Sequence, residues 1–100
     1  MTVPRTLLTI VTEGILKDEI SDLLRRHGAR GFTISRTDGE GSRGTRARDW
    51  EGPNLKFESV VESAVAEAAL QELVERYFDH YSVTAWLSEV RVFRADKFKR

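Results

Sequence analysis

Cysteine, long apolar runs and net charge are all absent from the 100-residue sequence, and each absence narrows the class of protein. Without cysteine there are no disulfides, no thiolate metal sites and no cysteine nucleophile. No apolar run is as long as a membrane span, and the N-terminus lacks the apolar segment of a signal peptide, so we expect a cytoplasmic protein. Sixteen basic residues balance sixteen acidic ones, so the chain as a whole has no attraction for nucleic acid or for a membrane surface.

Residues that could carry catalysis or bind a metal are also few. His27 and His80 are the only histidines, and two isolated histidines lack the spacing of a metal site. No serine lies in the sequence context of a nucleophile. We therefore expect neither enzymatic activity nor a bound metal.

The hydrophobic pattern predicts two similar β-α-β halves. Four stretches have the composition or the alternation of strands: residues 7–12, 32–36, 54–62 and 83–93. Two stretches with helical periodicity lie between them, and Gly28 follows the first where a left-handed residue is favoured. This order predicts an α+β, ferredoxin-like β-α-β-β-α-β fold, a four-stranded antiparallel sheet with two helices on one face.

Such a fold leaves one face of the sheet uncovered. The apolar candidates for that face are Leu7, Val11, Val60, Ala85 and Leu87. An exposed apolar surface favours association, so we expect a homo-oligomer that packs sheet against sheet.

The same element order occurs in the RNA-recognition motif, which binds bases through aromatic residues on its first and third strands. Here the first strand has no aromatic residue, and the third has only Phe57. We therefore expect no nucleic-acid partner.

The segment between the second and third strands is the least ordinary part of the sequence. Residues 36–53 hold four of the seven glycines and four arginines, and so long a connection in a small domain usually has a function. In residues 39–46, GEGSRGTR, glycines allow backbone N–H groups to approach an anion, and guanidinium groups bind phosphate. The segment is neither a Walker A loop nor a dinucleotide fingerprint. A phosphate-binding loop and a plain solvated loop both remain open.

Two stretches of the sequence are distinctive, GARGFTISRTDGEGSRGTR and NLKFE. They resemble the GARGFT…G-x-GSR-x-x-R block and the N-[IL]-KFE strand of the PII-like signalling proteins, in the branch associated with carboxysomes and bicarbonate transport. The resemblance covers about residues 7–93. It implies one PII-like domain over residues 1–100, a homotrimer, and adenine nucleotide in clefts between subunits. It also implies a T-loop, at about residues 37–53, that changes shape with ligand and docks onto a target protein.

The resemblance further implies which residues bind ligand. Those of the nucleotide site are Val11, Thr33, Gly39, Gly41, Ser42, Arg43, Arg46 and Val60. Arg91 and Arg94, near the end of the last strand, would join this nucleotide site if the oligomer brings them near the glycine-rich segment of a neighbour. Bicarbonate is implied as a second ligand, with Arg43 and Arg46 as the candidates to hold it. The implied partner is a bicarbonate transporter or a carboxysome-related protein. Binding to this partner would bring the otherwise cytoplasmic protein to the transporter or to the carboxysome.

Two departures from the family pattern bear on the ligands. The stretch before the last strand, DHYSVTAW, lacks the glycines and the lysine of nitrogen-regulatory PII proteins, which favours ADP or AMP and leaves ATP and cyclic AMP open. The cysteine-containing C-terminal extension of some relatives is absent as well. Two alternatives also stay open: a slow nucleotide hydrolase with Asp38 and Glu40 as its acidic residues, and an oligomeric scaffold without a small ligand.

Overall fold

The computed structural model describes residues 1–38 and 54–93, which form an antiparallel sheet with helices on one face. Its strands are β1 (Thr2–Glu13), β2 (Thr33–Thr37), β3 (Asn54–Val61) and β4 (Val83–Phe93), and its helices are α1 (Lys17–Arg26) and α2 (Ser63–Tyr77), with a short 3₁₀ helix at Gly14–Leu16. The four strands lie in the order β2-β3-β1-β4, and every neighbouring pair is antiparallel. The predicted ferredoxin-like fold is confirmed.

The strand register decides which side chains face the helices, because directly paired residues point to the same face of a sheet. On the central strand β1, Ile10 pairs with Phe57 of β3 and with Ala85 of β4. Ile10 and Phe57 are fully buried against the helices. The core contains, besides these two, Leu8, Leu16, Ile20, Leu23, Leu24, Leu55, Val61, Ala66, Ala69 and Leu73.

The register corrects part of the prediction for the uncovered face. Leu7 pairs with Val60, and both lie on that face as expected. Ala85 and Leu87 were expected there too, and this is wrong: they pair with Ile10 and Leu8, so they face the core. Trp86 and Leu87 are adjacent apolar residues, so the sequence pattern alone does not say which of them points outward. Trp86 does, with 45% of its surface exposed.

The turn that ends α1 has the geometry that its sequence predicts. His27 closes the helix, and the Gly28 N–H donates to the carbonyl of Arg25 at 3.0 Å. Gly28 has φ of 90°, the left-handed region that costs other residues about 1 kcal/mol or more. The glycine predicted to end the helix therefore does so. Over residues 1–38 and 54–93, no helix is long and apolar enough to cross a bilayer.

Candidate functional site

The glycine- and arginine-rich segment joins the sheet at one end of the uncovered face. Thr37, at the end of β2, pairs with Asn54, at the start of β3, so the two attachment points lie side by side. On the next strand Asn54 pairs with Glu13, the last residue of β1. Strands are spaced about 4.8 Å apart, so the backbone of Glu13 lies about 10 Å from that of Thr37. We call this end of the sheet the segment end.

The uncovered face is divided along its length. Next to the segment end, its side chains are mostly polar, and we call this part the polar half: Thr9, Val11, Thr33, Ser35, Lys56, Glu58, Thr84 and Trp86. Further away they are mostly apolar, and we call this part the apolar half: Val3, Leu7, Val60, Val90 and Val92, with Arg5 and Ser88 as its polar members. Thr9 is only 2% exposed although neither α1 nor α2 covers this face, because it lies between Glu58 and Trp86 on the flanking strands.

Glu13 is a buried carboxylate at the segment end. It is 7% exposed, and its Oε2 accepts a hydrogen bond from the backbone N–H of Ser82 at 2.6 Å. Ser82 directly precedes β4, so this bond ties the end of β1 to the connection that enters the last strand. Among the described residues no Lys, Arg or His lies within 4.0 Å of the carboxylate. Sequence reasoning missed Glu13, since its partner lies 69 residues away.

The predicted binding residues within the described part of the chain do not meet in one protomer. Val11 and Thr33 lie in the polar half, and Val60 lies in the apolar half. Arg91 pairs with Pro4 at the opposite end of β1 and donates from Nε to Thr2 Oγ1 at 3.0 Å. Pro4 and Val11 are separated by about 23 Å along the strand. Arg91 can therefore complete a site at the segment end only if a neighbouring subunit brings it there.

The other predicted binding residues lie outside the described residues: Gly39, Gly41, Ser42, Arg43, Arg46 and Arg94. Asp38 is exposed after β2, and Glu40, its acidic companion in the hydrolase alternative, also lies outside. No group of three His, Asp or Glu side chains is placed to hold a metal ion in residues 1–38 and 54–93.

A second charged cluster lies on the helix side of the sheet, around Glu72 of α2. Its carboxylate accepts two hydrogen bonds from Arg26, at 3.1 and 2.9 Å, one from Arg76 at 2.9 Å, and contacts His27 Nε2 at 2.6 Å. The bonds from Arg26, then His27, then Arg76 lower the pKa of Glu72 from 4.5 to about 2. The same contact raises the pKa of Arg26. The cluster joins the end of α1 to α2 and so stabilises the helical layer.

Together, these observations place the chain in the class of ferredoxin-like domains with a glycine- and arginine-rich β2–β3 connection at one end of an uncovered sheet face. The family model described as nitrogen regulatory protein P-II matches residues 5–97. The chain therefore belongs to the P-II family, which confirms the resemblance in its sequence.

Several solved structures match this chain over nearly its full length. A structure described as a PII-like signaling protein, from Thermus thermophilus, is 45% identical, with a TM-score of 0.84 over 97% of each chain. CPII from Thiomonas intermedia, bound to ADP, AMP and acetate, is 26% identical, with a TM-score of 0.84 over 100% of this chain and 99% of that one. CPII bound to ADP and bicarbonate is 27% identical, with a TM-score of 0.83 over 98% of this chain and 97% of that one.

Proposed function

We propose that this protein is a non-enzymatic homotrimeric sensor that binds adenine nucleotide, ADP or AMP in preference, together with bicarbonate, and regulates a partner in inorganic carbon acquisition. The observation that carries the proposal is the relative CPII of Thiomonas intermedia, which binds ADP and bicarbonate and matches 98% of this chain. The proposal assigns the whole chain to one PII-like domain whose T-loop occupies about residues 37–53.

The uncovered face supports the assembly. Its apolar half exposes aliphatic side chains on β1, β3 and β4, which a second sheet would cover. Arg91 lies about 30 Å along β1 from the segment end of its own protomer, so a cleft between subunits is the arrangement that lets both contribute to one ligand. The trimer is thus part of the proposed site.

The chemistry of residues 39–46 supports the nucleotide. Arg43 and Arg46 would bind phosphate through bidentate hydrogen bonds, with Arg91 and Arg94 supplied from the last strand. The glycines at 39 and 41 and the Ser42 hydroxyl would provide further donors. Bicarbonate is a small anion for which the same two arginines are the proposed ligands. Binding would set the conformation of residues 37–53, and the conformation would decide whether the partner docks.

Isothermal titration calorimetry tests the binding. AMP, ADP, ATP and cyclic AMP are titrated into the protein with and without bicarbonate, and we expect AMP and ADP to bind most tightly. Replacing Arg43 and Arg46 together by alanine should weaken ADP binding at least about tenfold, because each guanidinium–phosphate bond contributes about 1.5–3 kcal/mol. The absence of heat with all four nucleotides would refute the proposal.

A matched control separates the loss of the phosphate-binding side chains from a general loss of positive charge. Arg25 and Arg30 are exposed at the end of α1 and just beyond it, and their double alanine variant removes the same charge near the start of β2, away from the segment end. It should leave ADP binding within about twofold of the wild type. Incubation with ATP and Mg²⁺ tests the hydrolase alternative, and steady phosphate release would contradict a purely sensory role.

A further inference from the structure

One arginine lies inside the apolar half of the uncovered face. Arg5 of β1 pairs with Val90 of β4. Its neighbours on this face along its own strand are Val3 and Leu7. The Arg5 side chain is half-buried, and its Nε is buried without a hydrogen-bond acceptor among the described residues. Its Nη1 donates to the carbonyl of Pro4, the preceding residue, at 2.7 Å. A buried N–H that lacks an acceptor is unfavourable, so the described part of the protomer leaves the guanidinium incompletely bonded.

In the described strands, the uncovered face carries two carboxylates, and neither contacts Arg5. The strand register places Glu13 and Glu58 on this face, both towards the segment end. Glu13 is bonded to the Ser82 N–H. Glu58 is half-buried, and its side chain has no hydrogen bond or ion pair with another described residue. Thr9, the β1 partner of Glu58, lies about 13 Å along the strand from Arg5, so Arg5 and Glu58 of one protomer do not meet.

Charge is therefore distributed unevenly along the uncovered face. Arg5 gives the apolar half a positive charge, whereas the two glutamates and Lys56 leave the described remainder of the face with a net negative charge. Arg36 does not change this balance, because its partner on β3 is a core residue and Arg36 therefore lies on the helix side of the sheet. Electrostatic complementarity thus favours a contact in which the apolar half of one copy meets the polar half of another.

We infer that Arg5 is an assembly-determining residue that binds the Glu58 carboxylate of the neighbouring subunit. The inference rests on the homotrimer of the proposed function. Neighbouring subunits of a cyclic trimer meet through two different surfaces, so Arg5 faces something other than its own copy. The proposed trimer brings Arg91 to the neighbour's segment end, and Arg5 lies at the same end of β1 as Arg91, which pairs with Pro4. Arg5 is thereby brought towards the polar half in which Glu58 lies.

Packing of one sheet against another makes this contact important. Once a second sheet covers the apolar half, water is excluded from it, and an unpaired charge left there is strongly unfavourable. A guanidinium and a carboxylate can satisfy each other through two parallel hydrogen bonds. The pair therefore specifies which two surfaces meet, whereas the valines around Arg5 supply apolar area without fixing the register.

Subunit exchange tests the pair. Trimers with and without a heavy-isotope label are mixed, and native mass spectrometry follows the appearance of mixed trimers over time. Arg5→Glu places two carboxylates opposite each other, and we expect it to leave monomers or to speed exchange about tenfold or more. Glu58→Arg should do the same with two guanidinium groups. Arg5→Glu combined with Glu58→Arg restores the pair with its charges exchanged, and its exchange rate should return to within about threefold of the wild type.

Arg5→Glu combined with Glu89→Arg is the matched control. It has the same net charge as the swap, but Glu89 is exposed and pairs with Thr6, on the opposite face of the sheet. It should exchange as fast as Arg5→Glu alone. Far-UV circular dichroism shows whether each variant is folded. For any charge reversal that is not folded, Arg5→Gln and Glu58→Gln take its place, and their double variant should exchange no faster than either single variant.

An Arg5→Glu trimer that exchanges at the wild-type rate, or a swap that exchanges no more slowly than the Glu89 control, overturns the inference alone. Rescue of Arg5→Glu by Glu62→Arg in place of Glu58→Arg also overturns it, because the acceptor would then be the residue that follows β3. A wild-type protein that forms no trimer overturns the proposed function and this inference with it.

Discussion

Replacing Glu72 by glutamine should destabilise the protein in a way that depends on pH. The carboxylate has a folded-state pKa of about 2 against 4.5 for the free group. At about 1.4 kcal/mol per pKa unit, that difference corresponds to an upper bound of about 3.5 kcal/mol. Arg26 and Arg76 are half exposed, so solvent screening reduces the contribution to about 1–2 kcal/mol.

The direction with pH follows from the lowered pKa. The contribution of Glu72 is fully present above pH 4.5, and it decreases as the pH falls from 4.5 towards about 2. The free energy of unfolding should therefore differ between wild type and Glu72→Gln by about 1–2 kcal/mol at pH 7, and by less than half of that at pH 3.

Urea denaturation at pH 7 and pH 3, at one fixed protein concentration, measures this difference. Glu75→Gln is the control, because Glu75 lies on the same helix and, within residues 1–38 and 54–93, accepts only a 3.2 Å bond from Gln71. It should change stability by less than about 0.5 kcal/mol. Equal destabilisation by the two variants, or a Glu72→Gln difference that is the same at both pH values, would show that the bonds to the Glu72 carboxylate do not stabilise the fold.

Three further predictions concern the core, the helix end and the uncovered face. Phe57→Ala should cost about 3–5 kcal/mol in urea denaturation, because the side chain is fully buried, and a cost below about 1 kcal/mol would contradict its place in the core. Gly28→Ala should lower stability by about 1 kcal/mol because φ is 90°, whereas Gly31→Ala, where an added Cβ meets nothing within 4 Å, should be close to neutral in the same assay. Val90→Lys adds a charge to the apolar half and should reduce the mass measured by analytical ultracentrifugation. Glu89→Lys changes the neighbouring residue, on the opposite face, and should leave that mass unchanged. Equal masses for the two variants would count against assembly through the uncovered face.

The fold could be predicted from the sequence because it depends on local patterns. Helical periodicity before Gly28 and the strand alternation at Leu55 and Phe57 are readable without knowing what packs against them. The sequence pattern did not decide which of Trp86 and Leu87 points outward, because that depends on the register between β4 and β1.

The polar contacts could not be predicted for the same physical reason. Glu13 meets Ser82 across 69 residues, and Glu72 meets Arg26 across 46. No local pattern marks either glutamate as different from the other acidic residues on the surface. The family resemblance predicted the P-II family correctly, because it rests on stretches of residues that can be read in the sequence itself.

Native mass spectrometry with increasing ADP is the decisive experiment on the proposed sensor, because it reports assembly and occupancy in one spectrum. We expect a trimer that takes up to three ADP molecules, with the Arg43→Ala, Arg46→Ala variant remaining trimeric but largely unoccupied. ADP bound to isolated protomers, or a trimer that stays empty at ADP concentrations that saturate other nucleotide-binding proteins, would contradict it.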